Sequence, residues 1–141
     1  SEITIRTYPT RLTEENAQEI ISQYDIVVDG CDNFSTRYLI NDICAEMGKV
    51  YVYGAICGFE GQVSVFHYGE EKKSYRDLYP DEEEMRRMPP PSKGVMGITP
   101  AVTGSIEATE VLKIICSFGE VLSGKLWTID LRTLQSNKFS L

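Results

Sequence analysis

Apolar and polar positions recur along this chain in a rhythm that changes twice. Residues 2–8 set Ile3 and Ile5 between polar neighbours and end at Tyr8 and Pro9, which predicts a short strand running into a turn. Thr13 is placed to cap a helix with Glu14 and Glu15 in its first turn, where the helix dipole favours acid. Ala17, Ile20, Ile21 and Tyr24 then fall on one helical face. From Asp25 to Asp29 the interior is wholly apolar (Ile26, Val27, Val28), the pattern of a strand buried on both faces in a parallel sheet.

A second helical stripe follows at Leu39, Ile40, Ile43, Cys44 and Met47, with Gly48 placed to end it, and Val50 to Ala55 reads as another buried strand. Two strand–helix–strand steps in succession predict right-handed crossovers and parallel strands. Gly54, Gly58 and Gly61 then break the rhythm. Gln62 to Tyr68 alternates with period two after a short connection, which predicts an antiparallel partner. Residues 69–93 are charged and then proline-rich, with Tyr75, Leu78 and Tyr79 as anchors; they predict a mobile crossing loop, mobility being favoured most over 80–93. Thr99 as N-cap and Pro100 in the first turn open a long helix to about Ser117. Its Ala101, Gly104, Ser105 and Ala108 form a small-residue strip that permits close approach, by the domain's own sheet as the default or by a partner's helix. Leu126 to Asp130 and Leu134 to Phe139 predict two closing strands. The whole pattern specifies an α/β fold: a Rossmann-like open sheet, parallel at first and then mixed or antiparallel, with helices on both faces.

The 141 residues suffice for one domain with a real core. A net charge of −7 argues against a nucleic-acid binder, which carries a basic face, and no apolar tract is long enough to span a bilayer. Four scattered cysteines lie in apolar surroundings, as expected of buried reduced thiols in a cytoplasmic protein, and no pair has metal-site spacing. Neither G-x-G-x-x-G nor G-x-x-x-x-G-K-[ST] occurs. The expectation is therefore a partial domain that lacks an N-terminal nucleotide-binding half.

The candidate chemistry gathers just past the strand that ends at Asp29, on the edge where open α/β sheets bind ligands. Asp32 and Asn33 offer metal-ligating and hydrogen-bonding oxygens, and Arg37 a fork of donors for phosphate or carboxylate. Taken alone, Asp32 and Asn33 more often cap a helix, and Arg37 more often forms a surface ion pair. Asp29 is the weaker candidate. Cys57, in a glycine-rich loop without a nearby base, reads as a structural thiol, and His67 as a half-buried strand residue.

The stretch from Tyr24 to Asp42, together with 58–63, 75–80, 94–97 and 104–113 in order, resembles the ThiF/MoeB/HesA family, relatives of ubiquitin-activating enzymes. The resemblance covers nearly the whole chain and implies the C-terminal part of an adenylation domain. It implies ATP and magnesium as cofactors, a ubiquitin-like sulfur carrier (ThiS- or MoaD-like) as partner, and a homodimer. By resemblance Asp32 holds magnesium, Asn33 lies beside it at the nucleotide, and Arg37 neighbours the phosphates as a catalytic residue. Many members carry a zinc-binding C-x-x-C where this chain has Ser74 to Asp77, so no zinc is expected. A non-catalytic member that binds a ubiquitin-like partner, or a dehydrogenase or methyltransferase on a similar sheet, are the alternatives.

Overall fold

The computed structural model describes residues 2–90 and 94–141. A short helix, α1 (Ala17–Ile21), leads into strand β1 (Ile26–Val28) and helix α2 (Phe34–Met47). Strands β2 (Val50–Cys57) and β3 (Glu60–Phe66) follow, then two short helices, α3 (Tyr75–Leu78) and α4 (Glu82–Arg87). The long helix α5 (Ile98–Cys116) and strands β4 (Lys125–Asp130) and β5 (Gln135–Ser140) complete the chain. The strands form one sheet in the order β1-β2-β3-β4-β5. Only β1 and β2 are parallel, with Ile26 opposite Val50; the other neighbours are antiparallel.

The sheet is covered on both faces, as expected, and the alternation along β2 sets which side chain goes where. Tyr51 and Tyr53 join Tyr38, Ile40 and Cys44 of α2, with Phe66 and Tyr75, in one buried cluster. Val52 turns the other way and joins Val63, Val65 and Leu122 beneath Ile106, Val111 and Ile114 of α5. Helix α2 is bounded as its sequence dictates. Asn33 caps its start by accepting from the Thr36 N–H, and Gly48 closes it at φ 66°, a left-handed turn that a Cβ would resist.

Several expectations are corrected. Residues 2–8 form no strand, and Ile3 and Ile5 are exposed. Thr13 is not the cap of α1: its N–H donates to Asn16 Oδ1, and Asn16 takes the N-cap position one turn later. β1 is not buried on both faces; it is an edge strand paired on one side by β2, and Val28 is 49% exposed. Helix α5 starts at Ile98 after Gly97, so Thr99 is not its cap. The Thr99 hydroxyl instead donates to the Gly58 carbonyl (2.8 Å) and ties α5 to the β2–β3 hairpin.

The small-residue strip of α5 faces outward: Ala101, Gly104, Ser105 and Ala108 are exposed, and the buried positions are Thr99, Thr103, Glu107 and Glu110. Two strand glycines are the cause. A Cβ on Gly54 would meet the Glu107 carboxyl, and one on Gly61 would meet the Thr103 hydroxyl, so these polar side chains lie directly on the sheet. Of the cysteines, Cys44 alone is fully buried, while Cys57 and Cys116 are exposed. His67 lies beyond β3 at φ 62°, with Nε2 2.9 Å from Asn41 Oδ1, and is not a strand residue.

Within 69–93 the structure holds α3 and α4; residues 91–93 lie outside the described residues. Helix α3 opens on a capping box in which Ser74 and Asp77 bond reciprocally. The buried Asn41 of α2 accepts from the Tyr75 N–H (2.9 Å) and the Ser74 hydroxyl (3.1 Å), and Arg76 grips Asp42 with two nitrogens. The acidic run is the first turn of α4, capped by Asp81 and paired four residues on with Arg86 and Arg87.

Candidate functional site at the end of β1

The site is built on a buried acid. Asp29 is 4% exposed and directly follows β1, where its N–H still donates to the Val52 carbonyl. Its Oδ2 accepts from Arg37 Nε (3.1 Å) and from the Tyr51 hydroxyl (2.8 Å). Its Oδ1 accepts from the Cys31 N–H and thiol, both at 2.9 Å. Arg37 Nη2 donates to the Cys31 carbonyl (2.9 Å), so one guanidinium braces the turn at two points. Burial, and then the Asp29 charge, pushes the Cys31 thiol up to about 12, which leaves it protonated and a poor nucleophile at neutral pH.

This network fixes residues 29–33 and leaves Asp32 outside it. Asp32 is exposed, and among the described residues the one hydrogen bond to its carboxylate comes from Asn33 Nδ2 at 3.3 Å. Asn33 itself is committed to α2, accepting from the Thr36 N–H at 2.8 Å. Arg37, which the sequence reading set beside phosphates, is drawn inward to Asp29 and is 7% exposed. Among the described residues no group of three or more His, Cys, Asp or Glu side chains could hold a metal ion. The donor chemistry still fits magnesium, which is held through one or two carboxylates plus substrate phosphates, not by an all-protein cage.

Beside the turn lies a cleft of about 190 Å³, bordered by Gly30, Arg37, Gly54, Pro100, Thr103 and Glu107. Glu107 is 6% exposed, and among the described residues neither its Oε2 nor the Thr103 hydroxyl has a hydrogen-bond partner. The sequence reading missed both, and the signal available was a glycine inside one expected strand, Gly54, and another just before the next, Gly61. A second groove, of about 320 Å³, lies between α5 and the β4–β5 pair around Lys113 and Trp127.

Burial, and then the neighbouring Asp29 charge, pushes the Glu107 carboxyl up from 4.5 to about 8. The folded chain thus holds a proton that the unfolded chain releases. The contribution to stability is fully present below 4.5 and is lost as the pH rises through about 8. Glu107→Gln, which cannot ionise, is therefore expected to gain on the parent by on the order of 3 kcal/mol between pH 5 and pH 9. Urea denaturation at the two pH values measures this; equal gaps at both would mean that Glu107 titrates normally.

Comparison with known proteins gives the family and the fold. The model of the ThiF family matches residues 1–141. A probable molybdopterin-synthase adenylyltransferase of Pyropia yezoensis is 45% identical over 139 residues, covering 97% of this chain and 36% of the relative. A sulfur carrier protein adenylyltransferase of Thermus thermophilus is 46% identical, covering 91% of this chain and 49% of the relative. The chain thus spans between a third and a half of the length of these two proteins. Among solved structures, E. coli MccB with MccA-N7isoASN superposes with a TM-score of 0.75 at 13% identity, over 94% of this chain and 42% of that one. MccB with ATP gives 0.68 at 17%, over 91% and 40%. At such identity these two share the fold. With a family model matched from end to end, this chain belongs to the ThiF family.

Proposed function

We propose that this chain is part of an ATP-dependent adenylyltransferase that activates the C-terminal glycine of a ubiquitin-like sulfur carrier. The carrier is ThiS- or MoaD-like and serves thiamine, molybdopterin or related sulfur transfer in the cytoplasm. The observation that carries this reading is the exposed carboxylate of Asp32, on a turn held rigid by Asp29, Arg37 and Tyr51 at the sheet edge. Two relatives support it by name, as adenylyltransferases for a sulfur carrier protein and for molybdopterin synthase.

In this reaction a carboxylate must approach an anionic α-phosphate, so charge neutralisation and alignment dominate the rate. Asp32 would be the residue to hold magnesium, which would supply that neutralisation. Asn33 holds the start of α2 through Thr36 and steadies Asp32 through its amide. Arg37 acts from inside as a positioning residue: it neutralises Asp29 and fixes the Cys31 carbonyl, so the turn presents Asp32 in one geometry. A homodimer belongs to the same reading. Leu112 and Ile115 (52% and 65% exposed) continue the outward small-residue strip of α5 and give it apolar surface for a partner.

The full-length protein is expected to catalyse magnesium-dependent exchange of labelled pyrophosphate into ATP only when a glycine-ended carrier is present. Exchange that ignores the carrier, or its absence with both ThiS- and MoaD-like carriers, contradicts the proposal.

A further inference from the structure

Glu107 stands where a fold does not ordinarily place an acid. It is buried, and its carboxyl lies directly over Gly54, where any Cβ would collide with it. Among the described residues no cation pairs with it, and its Oε2 has no hydrogen-bond partner. Such a carboxyl is comfortable only while it keeps its proton, because its charged form has neither solvent nor counter-ion. The groups that face it are few. Asp29, Cys31 and Arg37 border the same cleft, and β2, β3 and the rest of α5 place no ionisable side chain there. The Cys31 thiol, pushed up to about 12 by burial, stays neutral. That leaves one anion and one cation, Asp29 and Arg37, already paired with each other at 3.1 Å.

We propose that Glu107 is a proton-operated positioning residue: with its proton it leaves the Arg37–Asp29 brace intact, and without it competes for the guanidinium and slackens the turn that presents Asp32. This rests on the adenylyltransferase reading for the role of Asp32. Arg37 already gives Nε to Asp29 and Nη2 to the Cys31 carbonyl. A second carboxylate beside the first repels Asp29 and attracts the same guanidinium, so the two bonds that fix residues 29–33 weaken together. The protonated carboxyl does neither. Since Glu107 is pushed up to about 8, the brace is intact at neutral pH and weakens as the pH rises through that value. The effect reaches Asp32 through Arg37 and the turn, without Glu107 touching a reacting group.

The test reads the turn first and the reaction second, both in the full-length protein. Amide hydrogen exchange of a peptide spanning residues 29–33 is compared between the parent and Glu107→Gln at the same pH, which cancels the intrinsic pH dependence of exchange. Glu107→Gln cannot ionise and fills nearly the same space. The two proteins should agree within about twofold at pH 6.5, and the parent should exchange about tenfold faster at pH 9. In pyrophosphate exchange with a glycine-ended carrier, the magnesium concentration at half-maximal rate should rise about fivefold from pH 6.5 to pH 9 in the parent. In Glu107→Gln it should change less than about twofold. Equal protection of residues 29–33 at pH 9 overturns the proposal. So does a difference of the same size at both pH values, which would make Glu107 a merely structural residue. A parallel magnesium shift in both proteins also overturns it, since other groups would then set the pH dependence. Should Glu107→Gln fail to fold, Glu107→Met, equally unable to ionise, takes its place. The expected hydrogen-exchange pattern without carrier-dependent pyrophosphate exchange would sustain the switch and sink the adenylation reading; carrier-dependent pyrophosphate exchange with equal protection at pH 9 would do the reverse.

Discussion

Arg37→Ala is expected to lower the unfolding free energy by about 3–5 kcal/mol, the cost of leaving a buried charge without its partner. Asp29 is 4% exposed, and among the described residues Arg37 is the one cation paired with it. Without the guanidinium, the carboxylate retains the Tyr51 hydroxyl and the two Cys31 donors but no positive charge. The Cys31 carbonyl loses a donor in the same step. Removing the charge as well should recover part of the loss, so Arg37→Ala combined with Asp29→Asn should be more stable than Arg37→Ala alone. Urea denaturation followed by circular dichroism measures both. A loss under about 1 kcal/mol, the size of an exposed ion pair, would mean that the pair is solvent-screened and does not brace the turn.

Local patterns in the sequence carry the parts of the fold that local physics decides. Helix α2 runs from an Asn33 cap to a left-handed Gly48, and each end has its own chemical signal. The alternation in β2 and β3 sends Tyr51 and Tyr53 to one layer and Val52, Val63 and Val65 to the other. Helix α4 had its signals too, with Asp81 before three glutamates and two arginines four residues on, but the prolines that follow hid a helix of six residues. What could not be read depends on residues far apart in the chain. Asp29 becomes the hub of the site through Tyr51, 22 residues on, and Arg37, eight residues on. The facing of α5 depends on Gly54 and Gly61, which let Thr103 and Glu107 lie on the sheet and so turn the small residues outward. An acid at a core position contradicts ordinary burial preference, and only the missing Cβ beneath it makes the arrangement sterically possible.

The candidate site divides in the same way. The sequence singles out Asp32 by its place after a strand, and the structure leaves its carboxylate exposed at the sheet edge, not turned inward onto helix amides. The sequence singles out Arg37 for its charge, whereas in the structure it serves a partner inside the fold. Its position therefore supports the geometry of Asp32 without adding a second exposed charge.

Removing the Asp32 carboxylate tests the central claim most directly. Asp32→Ala should leave stability within about 0.5 kcal/mol of the parent, because an exposed side chain with one weak bond holds nothing else in place. In the full-length protein with a glycine-ended carrier, the same change should lower pyrophosphate exchange by roughly 10²–10³-fold, the scale on which one aligned electrostatic group contributes to a charged transition state. The residual rate should also need a higher magnesium concentration to saturate. Exchange within a few-fold of the parent, with an unchanged magnesium dependence, would contradict the assignment of Asp32 as the residue that meets the cation.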